Sequence, residues 1–186
     1  MKKALFLDRD GVINEDLAYV HKLECFNFIP GIFALCKAAL DKGYIIIVVT
    51  NQAGIAKGFY TEADFKKLSS KFLNFCLQKK IKIMDIFYCP HHIDAVIPEY
   101  NKFCKNRKPE SGMFFKASKI YNIKLETCIM IGDNITDIIA SNNAGIKENY
   151  LVNYKNKNLK PESNLNFKFK KSFLTATKEI LKNKNS

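Results

Sequence analysis

FLDRDGVINE, residues 6–15, sets two carboxylates, Asp8 and Asp10, one residue apart at the point where the apolar run Ala4-Leu5-Phe6-Leu7 stops. A short apolar run that ends in acids reads as a buried strand delivering polar side chains to its carboxyl end. The rest of the chain repeats this form. Tyr44 to Thr50 (YIIIVVT) runs into Asn51, and Thr127 to Ile131 (TCIMI) runs into Gly132-Asp133. Met84 to Tyr88 and Tyr150 to Val152 are two further apolar runs. Between them, helical periodicity predicts helices near 31–42, 62–80, 111–122 and 135–143. The alternation predicts an α/β fold, a three-layer, Rossmann-like parallel sheet with helices on both faces. The second helix is the best marked: Thr61 is its N-cap, Asp64 follows three residues on, and Phe65, Leu68, Phe72, Phe75 and Cys76 lie along one face. Gly43 and Gly145 stand where glycines end helices. A short strand at 167–169 and a last helix near 173–182 complete the expected elements.

With 186 residues, 47% of them hydrophobic, the chain can fill one core. It is expected to form a single domain over 1–186, with a motif core at 4–152 and a basic segment at 153–186. Lys2-Lys3 precede only four apolar residues, too few for a signal-peptide core, and no later run approaches the roughly 20 residues of a membrane span. A cytoplasmic protein without membrane contact is expected. Its six cysteines (25, 36, 76, 89, 104 and 128) are then thiols or metal ligands rather than disulfides, with Cys36 and Cys76 in the core. The net charge of +12 is uneven, since residues 153–186 hold nine lysines against Glu162 and Glu179. That segment is also rich in asparagine, so a compositional bias explains the charge at least as well as a nucleic-acid surface does.

In open parallel sheets, ligands bind at the carboxyl ends of the strands where strand order reverses. Asp8 and Asp10, Thr50 and Asn51, and Asp133 with Asp137 are expected to converge there. Acids brought together repel one another unless a cation is bound, and hard oxygen ligands around a phosphate suggest Mg²⁺. Lys108, before a helix opening near Ser111, can supply positive charge on the far side of a phosphoryl group. Each residue also has an ordinary reading as a turn former, a cap or a solvated lysine. Their occurrence in order, at strand ends that the topology gathers, favours the catalytic one.

LFLDRDGVIN (5–14), VVTNQAGIAKG (48–58), KNRKPESGMFF (105–115) and IMIGDNITD (129–137) resemble, in order, the four motifs of the haloacid dehalogenase superfamily of phosphatases. Asp-Arg-Asp-Gly, NQAGIAKG and YCPHH narrow the resemblance to the branch of heptose bisphosphate and histidinol-phosphate phosphatases, over about residues 4–152. The resemblance implies that Asp8 is the nucleophile, forming an aspartyl-phosphate, and that Asp10 is the general acid/base. It implies a Mg²⁺ site of Asp8, the Asp10 backbone carbonyl and Asp133, with Asp137 as an orienting neighbour. Thr50 and Asn51 would hold phosphate oxygens, Lys108 would neutralise transition-state charge, and Arg107 would contact substrate oxygens.

Only about forty residues separate Asp10 from Thr50, and the span from Asn51 to Lys108 holds a helix, a strand and a loop, so no large cap domain is expected. The branch carries a structural zinc held by Cys-x-His and Cys-x-Cys. Cys89, His91 and Cys104 match three positions, and Asn106 stands at the fourth. Zinc wants four ligands in a closed site, and His92 could substitute only after rearrangement. Asn134 departs from the basic residue often found after the last motif aspartate. DRDGVINED, YVHKLECFNFIPG and TNQAGIAKGFYTEADF look closer to the heptose enzymes, implying removal of the 7-phosphate from heptose 1,7-bisphosphate, a small sugar-phosphate substrate. Histidinol-phosphate phosphatase is the first alternative and a nucleic-acid 3′-phosphatase the second. A catalytically dead binding protein would be expected to lose one of the acids. A monomer is the default expectation for such a domain.

Overall fold

Six strands, β1 (Lys3–Leu7), β2 (Tyr44–Asn51), β3 (Ile83–Cys89), β4 (Ile129–Gly132), β5 (Glu148–Val152) and β6 (Lys168–Lys170), pair in parallel in the order β3-β2-β1-β4-β5-β6. The computed structural model describes residues 1–152, 165–170, 175 and 177–179. From β1 the chain steps outward through β2 and β3, then returns to lay β4 against the other side of β1. Strand order therefore reverses between β1 and β4, and the crevice that parallel sheets use for ligands opens at their carboxyl ends.

The strands alternate two apolar faces, because successive side chains point to opposite sides of a sheet. Leu5, Leu7, Ile46, Val48, Ile129 and Ile131 face one way, against Leu35 and Cys36 of α1 (Ile32–Asp41) and Leu68, Phe72 and Cys76 of α3 (Glu62–Gln78). Ala4, Phe6, Ile47, Val49 and Met130 face the other, against Phe114 and Ala117 of α4 (Gly112–Tyr121) and Ala140 of α5 (Ile135–Asn143). These are the three layers expected, with Cys36 and Cys76 in the core. All six cysteines are free thiols. Among the described residues no helix is long and apolar enough to cross a membrane.

Several details differ from the sequence reading. Leu125–Thr127 forms a 3-10 turn, held by the Thr127 hydroxyl donating to the Lys124 carbonyl, so β4 begins at Ile129 rather than at 127. Two polar residues disguised the start of β5, where Asn149 is buried with its amide donating to the carbonyls of Ile146 and Asn166. Phe75 lies at the margin of the α3 face, 37% exposed and stacked on Phe28. A single helical turn, α2 (Ala53–Ala56), went unforeseen, being too short for a periodic signal. The short tail strand sits one residue later than expected. The helix expected near 173–182 lies mostly outside the described residues, of which 175 and 177–179 are helical.

Thr61 and Asp64 form a reciprocal capping box at the start of α3, Thr61 Oγ1 accepting from the Asp64 amide at 3.1 Å and Asp64 accepting from the Thr61 amide at 3.0 Å. Thr61→Ala removes one arm of this box at an exposed position. The loss is about 1 kcal/mol, and thermal melting should show a midpoint lower by ~2–4 °C.

Candidate active site

Asp8 immediately follows β1, Thr50 and Asn51 end β2, and Asp133 immediately follows β4. The sheet order brings them around one cleft of about 480 Å³, which Asp10, Arg107, Lys108, Asn134 and Asp137 also line. Carboxylate oxygens of Asp8, Asp133 and Asp137 lie within 4.8 Å of one another. Gly11, with φ +81°, turns the chain over this cluster, and a side chain there would collide with the Asp133 carboxylate.

Lys108 is 3% exposed, its ammonium 2.5 Å from Asp137 Oδ1, 3.0 Å from Asp8 Oδ1 and donating to the Val49 carbonyl at 2.8 Å. Burial alone would favour the neutral amine, but Asp137 and Asp8 hold its pKa above the usual lysine range. The acids remain in excess. Burial pushes the Asp8 carboxyl up to about 7 against the pull of Lys108, with Asp137 and Asp10 adding repulsion. Burial together with Asp8 and Asp137 pushes Asp133 up to about 8. With Asp137 taken up by Lys108 and the Asn134 amide, the carboxylates of Asp8 and Asp133 remain as hard oxygen donors that fit a divalent cation with open positions.

The Asp10 carboxylate turns away from that cluster. Arg9, 2% exposed, grips it through Nε and Nη2 at 2.8–3.2 Å, Asn14 Nδ2 donates to Oδ1 at 2.9 Å, and Gln52 Nε2 donates to Oδ2 at 3.2 Å. Arg9 is itself anchored by donating to the Val20 carbonyl and lies over the Phe65 ring. Sequence reading missed Arg9, Asn14 and Gln52. All three stand inside the motif stretches, but only their burial reveals a shared target.

Thr50 is buried and accepts from Gln52. Both ends of the Asn51 amide engage the Lys108 backbone, donating to its carbonyl at 2.9 Å and accepting from its amide at 3.0 Å. Asn51 thus fixes the segment that carries Lys108. Arg107 reaches the cleft while donating to the His91 carbonyl. Asn134 caps α5 in a second reciprocal box with Asp137, a role that its short amide side chain serves well. Asp137 thereby touches both the helix start and Lys108, a more central position than an orienting neighbour.

Cys89, His91 and Cys104 come together with donor atoms within 4.8 Å of one another. The Asn106 carboxamide oxygen lies where a side chain on Gly112 would stand, and His92 Nδ1 accepts from the Asp94 amide. Among the described residues the cluster offers three donors where a closed zinc site takes four, so the residues present fit structural zinc poorly. The loop has other anchors. The amides of Val96 and Ile97 both donate to the Ala56 carbonyl, and Tyr100 donates to Glu62, which also accepts from Tyr88.

Two outcomes follow from this geometry. Asp133→Asn relieves carboxylate repulsion, so the metal-free variant should melt above the metal-free wild type, by ~2–4 °C per kcal/mol of relief. Added Mg²⁺ should raise the wild-type midpoint and leave the variant's almost unchanged. Because hydrogen bonds already hold the 91–103 loop, exhaustive chelation of zinc should leave the melting midpoint unchanged within about 1 °C. A large drop would show that a metal supports the loop.

The HAD-hydrolase-like family profile matches residues 105–157. D-glycero-alpha-D-manno-heptose-1,7-bisphosphate 7-phosphatase of Photorhabdus laumondii is 44% identical over 150 residues, covering 81% of this chain and 82% of that protein. D-glycero-beta-D-manno-heptose-1,7-bisphosphate 7-phosphatase of Haemophilus ducreyi is 41% identical over 153 residues, covering 81% and 83%. The crystal structure of D,D-heptose 1,7-bisphosphate phosphatase from B. bronchiseptica, complexed with magnesium and phosphate, superposes with a TM-score of 0.83 at 26% identity, covering 96% of this chain and 98% of that one. Likeness of this depth, across about four-fifths of each relative's sequence, makes the chain a member of the heptose-1,7-bisphosphate 7-phosphatase family of HAD-like hydrolases.

Proposed function

We infer that the protein is a Mg²⁺-dependent phosphatase that removes the 7-phosphate of D-glycero-D-manno-heptose 1,7-bisphosphate through an aspartyl-phosphate, leaving the 1-phosphate for activation with a nucleotide. The observation that carries this reading is the buried ammonium of Lys108, 3.0 Å from Asp8 in a cleft that five aspartates line. A cationic group beside the nucleophile is what a dianionic phosphoryl group requires to approach a carboxylate.

In this reading Asp8 attacks phosphorus. Lys108 and the Arg9 amide both meet Asp8 Oδ1, which leaves Oδ2 without a protein donor among the described residues, as an attacking oxygen needs. The bond from phosphorus to the sugar oxygen breaks, and Asp10 protonates that oxygen as it leaves. Asp10 then takes a proton from the water that releases phosphate from Asp8. Asp8, the Asp10 carbonyl and Asp133 hold Mg²⁺, which supplies Lewis-acid neutralisation of the phosphoryl oxygens when bound. Lys108 stabilises charge in the transition state. Thr50, Asn51 and Arg107 orient the phosphate and the sugar. Arg107 and the exposed ring of Tyr19 line the cleft, and among the described residues no large cap stands over it.

The test is Mg²⁺-dependent phosphate release from both anomers of heptose 1,7-bisphosphate, with histidinol phosphate and a 3′-phosphorylated oligonucleotide in parallel. A kcat/KM for one heptose anomer at least ~10²-fold above the other classes is expected, and Asp8→Asn should abolish turnover without lowering the melting midpoint. Preference for histidinol phosphate or the oligonucleotide would replace the substrate assignment. Retained activity in Asp8→Asn would remove the nucleophile assignment.

A further inference from the structure

Gln52 is 1% exposed at the end of β2, its amide nitrogen Nε2 donating both to Asp10 Oδ2 at 3.2 Å and to Thr50 Oγ1 at 2.8 Å. Its oxygen Oε1 accepts from the Tyr60 hydroxyl at 2.6 Å. A carboxyl oxygen keeps a lone pair to accept with whether or not it carries a proton, so the amide presents N–H to Asp10 Oδ2 and its opposite end meets a donor. Tyr60 is that donor. Burial pushes its phenol up to about 12, so it keeps its proton throughout the neutral range. Gly54 secures the arrangement, since a side chain there would overlap the Tyr60 ring.

The three residues that donate to Asp10 are not equivalent. Arg9 and Asn14 grip the carboxylate from inside the fold, whereas Gln52 and Tyr60 line the cleft beside Asp10 and Thr50. The Gln52 contact is also among the longest of the set.

We propose that Gln52, keyed by the Tyr60 hydroxyl, is a positioning residue that aims the cleft-facing oxygen of Asp10 at the leaving-group oxygen and ties it to Thr50. This rests on the reading of Asp10 as general acid given above. In that step the phosphorus–oxygen bond to the alcohol breaks, the Asp8–phosphorus bond forms, and the Asp10 proton ends on the departing alcohol oxygen. Gln52 transfers nothing. Its part is to restrict where Asp10 Oδ2 can stand, so its loss should harm only substrates whose leaving group must be protonated.

Single-turnover kinetics with enzyme in excess isolate this first half of the reaction. Leaving-group release is measured for a phosphorylated primary alcohol that the wild type turns over and for p-nitrophenyl phosphate, whose nitrophenolate departs as a stable anion. Gln52→Met keeps the volume and removes the amide, and Tyr60→Phe removes only the keying hydroxyl. Asp10→Asn serves as reference. Gln52→Met should slow alcohol release by ~10-fold or more and nitrophenolate release by less than ~3-fold, with Tyr60→Phe selective in the same direction but smaller, both below the ~10²-fold or greater loss of Asp10→Asn. Should Gln52→Met fail to fold, Tyr60→Phe decides alone. Equal slowing of both substrates in Gln52→Met and Tyr60→Phe, with Asp10→Asn still selective, would make Gln52 a structural residue only and overturn the proposal. Equal slowing in Asp10→Asn would remove the general-acid reading and the proposal with it.

Discussion

A single buried ammonium holds this site together. Lys108 Nζ has oxygen neighbours from three different elements: the Val49 carbonyl in β2, Asp8 at the end of β1 and Asp137 in the first turn of α5. None of these groups could be buried alone at modest cost, because an unpaired charge in the interior is worth several kcal/mol of destabilisation. Together they partly neutralise one another, and the strand ends and helix start that carry them are drawn to one point. The Asn51 amide adds a second restraint by clamping the Lys108 backbone from β2.

The compensation is incomplete, and that incompleteness has a use. Asp8 and Asp133 are both pushed well above ordinary carboxylates by burial and by their acidic neighbours. A protein that keeps such a cluster in place of apolar packing carries a cost in the metal-free state, which a divalent cation offsets on binding. The Asp10 carboxylate has partners of its own, although its charge still adds repulsion to Asp8. Arg9, Asn14 and Gln52 hold its carboxylate away from the cluster although it lies only two residues from Asp8. Two acids on one loop thereby occupy different electrostatic surroundings, which is how neighbouring carboxylates come to take different roles.

The loop between β3 and Lys108 reaches the cleft only at its end, through Arg107 and Lys108, and is held without relying on a closed metal site. Three soft donors meet there, but Asn106 lies against Gly112 and His92 accepts from the Asp94 amide. The weight falls instead on backbone hydrogen bonds to Ala56 and on Glu62, which accepts from both Tyr88 and Tyr100. Through Ala56 this loop rests on the same short turn that follows Gln52, so the loop and a donor to Asp10 share a support.

The sequence by itself determined the layered parallel sheet, because apolar runs with period two and helices with period 3.6 leave few alternatives. It also determined that Asp8, Thr50, Asn51 and Asp133 converge, since each ends a strand and parallel strands end on one side. Thr61 with Asp64 was legible because a capping box is local chemistry. Tertiary structure alone decided the rest. Lys108 is picked out in the sequence by its place before the helix that opens near Ser111, but only packing buries it to 3% exposure between two acids. Arg9 and Gln52 are ordinary polar letters until the fold aims both at Asp10. Asn134 reads as a missing charge, yet in space it is the cap that holds Asp137. In each case the deciding quantity is burial and direction of a side chain relative to its partners, which for Lys108 and Asp8 lie 100 residues apart in sequence, and no local pattern encodes that.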